Sequence, residues 1–199
     1  MDILLCNQFD DAIVAYIVKK WNEVSQISLG RTVIQKICYF IKSKGVPIDF
    51  DFDIYHYGPY SQNLYYRMDD MTADHVVKDD NALNTPNTNN VKTSKSKYLP
   101  GDNIDELLKM YSNDLNKFTS TIDSVVDVFR KYDHTSLELL STIHFFQTTL
   151  TNFYNKPADK DEVIMKVKKA KGDKFKDDLI SRTYDELKEA GIFDWNNQH

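Results

Sequence analysis

The chain has 199 residues, 41% hydrophobic and 28% charged, enough to bury a core as one domain or two small ones. A formal net charge of -5 weighs against a surface built throughout to grip phosphate. No apolar run reaches the length of a membrane span, and the opening MDILLCNQFDDAIV is acidic where a secretory leader is basic, so the expectation is a cytoplasmic protein without a membrane partner.

FDDAIVAYIVKKW, from Phe9 to Trp21, places Ile13, Ile17 and Trp21 at successive i, i+4 steps, the pattern of an amphipathic helix. GRTVIQKICYFIKSKG sets Ile34, Ile37, Cys38 and Ile41 on one stripe, with Gly45 as the stop of a second helix. The period then changes to two. Phe50, Phe52 and Ile54 face one way and Asp51 and Asp53 the other, which predicts a half-buried strand with His56 on its apolar face. Gly58-Pro59 is expected to end that strand, since proline cannot donate to a ladder. Ser61 can cap a helix carrying Leu64, Met68 and Met71.

HVVK and VKTSKSKYL then read as a hairpin around the soft tip DDNALNTPNTNN. After Pro100-Gly101 the chain reads as helical: NIDELLKMYSNDLNKF, TIDSVVDVFRKY, TSLELLSTIHFFQTTLTNFY, DKDEVIMKVKKAK and KDDLISRTYDELKEA, with Ile192-Phe193 as a short extended piece. The predicted fold class is mainly α with a small antiparallel sheet. A winged-helix-like region over 1–100 precedes a helical region over 101–199 resembling a helix-turn-helix, the two packed as one unit.

Catalytic signatures are missing from the sequence. It has no glycine-rich phosphate loop and no GxSxG elbow, and its histidines lack HxxxH or HExxH spacing. Cys6 and Cys38 form no CxxC pair and read as reduced core thiols. The acid-x-lysine pattern of Asp185 to Lys188 lies in a helical run rather than on a nuclease strand. His144, in LLSTIHFF, reads as a core histidine rather than a ligand. The expectation is a non-enzyme without cofactor or metal.

The densest feature is FDFDIYHYGPYSQNLYYRMDDM, with Phe50, Phe52, Tyr55, Tyr57, Tyr60, Tyr65 and Tyr66 around Gly58-Pro59. The core explains Phe50, Phe52 and Ile54 but leaves Tyr55 and Tyr57 on the opposite face. One reading has these phenols covering a sheet edge; the other is a protein-binding patch, where tyrosine supplies rigid area and a polar tip. The candidate partner-binding set is Tyr55, Tyr57, Gly58, Pro59 and Tyr60, with Arg67 as a charged anchor.

GRTVIQKICYFIKSKG, a strand, and YHYGPYSQNL together resemble the pattern of YwgA-type proteins, with Val33-Ile34 standing where leucine is usual. LELLSTIHFF, DEVIMKVKKAKGDKF and a final GIF extend the resemblance over most of the chain. That family is similar in turn to SocA-like, or Panacea, domains found as antitoxins and proteolytic adaptors. The resemblance implies a largely helical intracellular domain, without catalysis, that works by binding another protein such as a toxin.

The alternative is a winged-helix DNA-binding regulator. Its candidate reading helices carry more carboxylate than base, the reverse of what phosphate contact needs. Backbone contacts would fall to Lys92, Lys95 and Lys97 on the hairpin or to Lys166, Lys168 and Lys169, within a segment of eight lysines against four carboxylates.

Overall fold

The computed structural model describes residues 3–80 and 96–197. Helix α1 (Phe9–Val24) buries the predicted stripe completely, with Ile13, Ile17 and Trp21 at zero exposure. Its first turn is closed by Asp11, whose carboxylate accepts the Gln8 N–H at 2.9 Å. Helix α2 (Arg31–Ser43) is buried from Val33 to Ile41 without a break, Gln35 and Lys36 included. A helix enclosed on every side belongs at the centre of the molecule. It packs against α6 (Thr119–Phe129) and α7 (His134–Tyr154). Phe40 of α2 stacks on Phe129 of α6 with ring centres 4.1 Å apart, and meets Trp195 edge-on.

Two small antiparallel sheets sit beside this helical core, making the fold mainly α with a minor β part. In the first, β1 (Asp53–Tyr55) pairs with β2 (Gly58–Tyr60) in the register Asp53 to Tyr60, Ile54 to Pro59 and Tyr55 to Gly58. Gly58-Pro59 therefore does not end a lone strand; it forms the return strand of a tight hairpin. His56 and Tyr57 make the turn, and Gly58 follows at φ 88°, a conformation glycine adopts without penalty. His56 is consequently exposed at the tip and not on the apolar face. Phe50 is core, while Phe52 and Ile54 are only half-buried.

Ser61 caps α3 (Gln62–Ala73) as expected, its Oγ accepting from the Leu64 N–H. The second sheet pairs β3 (Val77–Asp79) with β4 (Tyr98–Pro100). Of the expected soft tip, Asp79 instead ends β3, and the rest from residue 81, together with Lys92 and Lys95 of the expected return strand, lies outside the described residues.

The helices after Gly101 follow the sequence with two exceptions. NIDELLKMYSNDLNKF breaks at Tyr111 into α4 (Ile104–Met110) and α5 (Ser112–Leu115). Ile192-Phe193 opens a 3-10 helix, Ile192–Asn197, instead of an extended piece. Its Ile192 carbonyl meets His144 on α7, and its Trp195 meets Phe40 and Phe129, so burial of large side chains fixes the chain there. Helices α8 (Lys160–Lys171) and α9 (Asp177–Glu189) complete the layer against α7.

Candidate functional site: a tyrosine corner on a lysine-held hairpin

The hairpin is fixed from below by consecutive residues of α2. Gln35 holds Ser61 by a reciprocal pair: its Nε2 donates to the Ser61 carbonyl at 2.9 Å and its Oε1 accepts the Ser61 N–H at 2.8 Å. Lys36, with 1% exposure, donates its Nζ to the Pro59 carbonyl at 2.5 Å. Lys171, at the end of α8, donates to the His56 carbonyl at 2.8 Å. Glu138 of α7, a carboxylate 1% exposed, lies beside Lys171 and within electrostatic reach of Lys36. Glu138 Oε2 accepts from Lys174 at 2.7 Å, and its Oε1 lies 3.0 Å from Lys171 Nζ without a well-angled hydrogen bond.

Charge crowding in this pocket has a direct electrostatic effect. Burial, with the like charge of Lys171 added, pushes Lys36 down to about 7, while Glu138 pulls the other way. Lys171 is also lowered by burial, against the support of Glu138. Gly58 sits so close to α7 that a Cβ there would lie 2.8 Å from Thr142 Oγ1. These contacts give a physical reason for the QK and YGPYS stretches to occur together: one helix reads the backbone of the other segment.

Above this base the phenols gather at the surface. Tyr55, Tyr57 and Tyr66 are 54, 62 and 57% exposed. Tyr55 packs on Tyr60 with ring centres 5.2 Å apart, and Tyr65 packs on Tyr66 at 5.6 Å. Tyr60 lies within electrostatic reach of Tyr55, Tyr65, Tyr66 and Arg31, and burial raises its phenol above the ordinary value. Arg31 stands over the Tyr65 ring at 4.5 Å, and Lys174 stands over Tyr57 at 5.2 Å. Among the six residues named from sequence, Tyr55 and Tyr60 belong to this cluster, and Tyr57, at the hairpin turn, is exposed beside Lys174. Gly58 and Pro59 are buried and support it.

Arg67 is engaged elsewhere. Its guanidinium grips the fully buried Asp11 with two contacts, Nε to Oδ1 at 2.8 Å and Nη2 to Oδ2 at 2.5 Å. It also reaches Asp70 and the Leu5 carbonyl. The cations of the tyrosine face are Arg31 and Lys174, which sequence reasoning missed. Lys36 and Glu138 were missed too, although each had a signal: a single charge inside an otherwise apolar helical run.

The remaining buried chemistry is inert. His144 receives the Tyr39 hydroxyl at Nδ1, 2.8 Å, and donates from Nε2 to the Ile192 carbonyl, 3.2 Å. Burial depresses its imidazole to about 4, so it is neutral. Burial, aided by Asp11 and Asp74, pushes the Cys6 thiol up to about 12, and burial raises Cys38 as well. No cluster of potential metal ligands occurs among the described residues.

Of the candidate phosphate-contacting lysines, Lys97 pairs with Asp80 and Lys168 with Asp177. Lys169 is exposed and Lys166 half-buried on α8. No helix among the described residues is long and apolar enough to cross a membrane. No protein-family model matches the chain, and no curated protein matches it.

Proposed function

We propose that the chain is a non-enzymatic intracellular protein-interaction module, antitoxin-like or adaptor-like, that presents its tyrosine corner to another protein. The observation carrying this reading is the exposure of Tyr55, Tyr57 and Tyr66, each more than half open to solvent on a backbone held rigidly from below. Tyrosine on a fixed support loses little conformational freedom on binding and supplies both area and a polar tip. The two neighbouring cations add points of orientation. The buried lysines of the region spend their hydrogen bonds on the hairpin backbone, which favours a supporting role over chemistry. The nucleic-acid alternative has less support, because Lys97 and Lys168 are already matched by the chain's own carboxylates.

The test is a comparison of the tagged chain with its Tyr55→Ala/Tyr57→Ala/Tyr66→Ala variant, expressed in its native cells. Tyrosine is enriched among interface hot spots, where truncation costs about 2 kcal/mol or more. The expected result is loss of a co-purifying protein, with a melting temperature changed by less than about 3 °C. Retention of every specific partner by the variant would end this reading. Tight duplex binding that weakens steeply with salt would favour the alternative.

A further inference from the structure

We propose that β1 is an acceptor edge, at which an extended segment of the partner protein adds as a third strand through the Ile54 amide and carbonyl. This rests on the reading of the tyrosine corner as a protein-binding face, and it specifies how the partner is held.

The argument starts from proline. Pro59 pairs with Ile54 but has no N–H, so that pair cannot exchange hydrogen bonds. The exchanging pairs are Asp53 with Tyr60 and Tyr55 with Gly58. In an antiparallel ladder the residue between two such pairs turns its amide and carbonyl away from its partner strand. The Pro59 carbonyl therefore points outward from β2, where Lys36 Nζ meets it at 2.5 Å. By the same geometry the Ile54 N–H and C=O point outward from β1. Among the described residues, no hydrogen bond outside the hairpin reaches either group.

The two sides of the hairpin thus differ. The β2 side is closed by α2, α7 and the lysine ammonium groups, whereas the β1 side carries a free donor and acceptor. The second sheet shows what a covered edge looks like here, since the Tyr98 N–H of β4 donates to the Leu29 carbonyl at 2.8 Å. Of the usual guards of an edge, β1 has a short length and the charge of Asp53, but no proline and no lysine.

The surroundings define the chemistry of the incoming segment. Added strands gain affinity from main-chain bonds and specificity from alternate side chains. On one face a neighbour would lie beside exposed Asp53 and Tyr55, favouring an arginine or lysine with an aromatic or β-branched residue. Asp51 and Phe52, just before β1, line a groove of about 470 Å³ together with Val46, Ile48, Phe145 and Lys42, whose ammonium lies 3.8 Å from Asp51. That groove offers room for one apolar side chain. The occupant is an extended, basic and apolar protein segment.

The probe is a phage-displayed library of linear peptides of about ten residues, selected on the full chain. Selected peptides are then remade with single backbone N-methyl groups. Loss of the amide paired to the Ile54 carbonyl should weaken binding about tenfold, so N-methylation is expected to hurt at that one residue and to be tolerated at its immediate neighbours. Ile54→Pro should weaken binding similarly while sparing the hairpin, because the Ile54 amide takes no part in it. Should that variant fail to fold, amide exchange of the unaltered chain decides: the Ile54 N–H exchanges freely alone and at least about tenfold more slowly with peptide. Peptides that need the three tyrosines, tolerate N-methylation and leave Ile54 exchange unchanged would overturn strand addition and leave the protein-binding face standing. Failure to enrich any peptide, or enrichment of peptides indifferent to the tyrosines, would overturn strand addition and count against the face as well.

Discussion

Asp11 has no contact with solvent, and its charge is tolerated because Arg67 meets both carboxylate oxygens while the Gln8 N–H caps it. Removing one member of such a pair strands the other in a low-dielectric site, a larger loss than the pair's own net worth. Arg67→Ala is therefore expected to destabilise the chain by about 3 to 5 kcal/mol, lowering the melting temperature by roughly 10 °C. Denaturant unfolding measures this, and a change below about 1 kcal/mol would show that water readily enters to solvate Asp11. From sequence alone Arg67 looked like a free anchor, because its partner lies on another helix 56 positions away. The apolar neighbours Ile13 and Ile17 were legible through their spacing; the burial of an acid among them was not, since an acid at the third position of a helix ordinarily faces water.

The hairpin is an element whose position is set by charged side chains acting on backbone oxygens. Lys36 and Lys171 donate to the Pro59 and His56 carbonyls, and Glu138 lies 3.0 Å from Lys171 and within electrostatic reach of Lys36. Because Lys36 is lowered to about 7 in the folded chain and is ordinary when unfolded, the unfolded state holds the extra proton between about pH 7 and pH 10.5. The sign follows: this lysine is a burden on the fold while charged, and stability rises with pH as the native form releases its proton. Lys36→Met removes that dependence. The advantage of the natural chain over the variant should grow by about 2 kcal/mol between pH 7 and pH 9, read from denaturant unfolding at both values. A difference independent of pH would mean that Lys36 stays charged throughout. The alternating pattern of Phe50 to Ile54 made an extended segment legible here. The return strand was not, because a Gly-Pro pair is a stop signal in isolation and becomes a strand only when its missing N–H faces the ladder's non-bonding position.

Among the described residues, no break in the core separates those before Gly101 from those after it. One continuous apolar cluster runs from Cys6 to Ile192. Helix α2 supplies Phe40 to a stack with Phe129 and Trp195, so its central side chains are covered by elements far along the chain. The two tryptophans allow a direct test. Trp21 is fully buried in α1, donating its Nε1–H to the Ile27 carbonyl at 2.7 Å, whereas Trp195 lies in the last turn against α2 and α6. Trp195→Phe leaves Trp21 as the single fluorophore, and Trp21→Phe leaves Trp195. A shared core requires each remaining tryptophan to report the midpoint that helical circular dichroism gives for the same variant. Two independently folding regions would separate fluorescence from circular dichroism in at least one variant, with Trp195 lost while Trp21 stays buried. Coincidence is expected because unfolding the region after Gly101 would open Phe40 and Tyr39 of α2 to water. Burying large aromatic side chains contributes about 2 to 3 kcal/mol each, and α2 has little surface of its own on which to re-cover them.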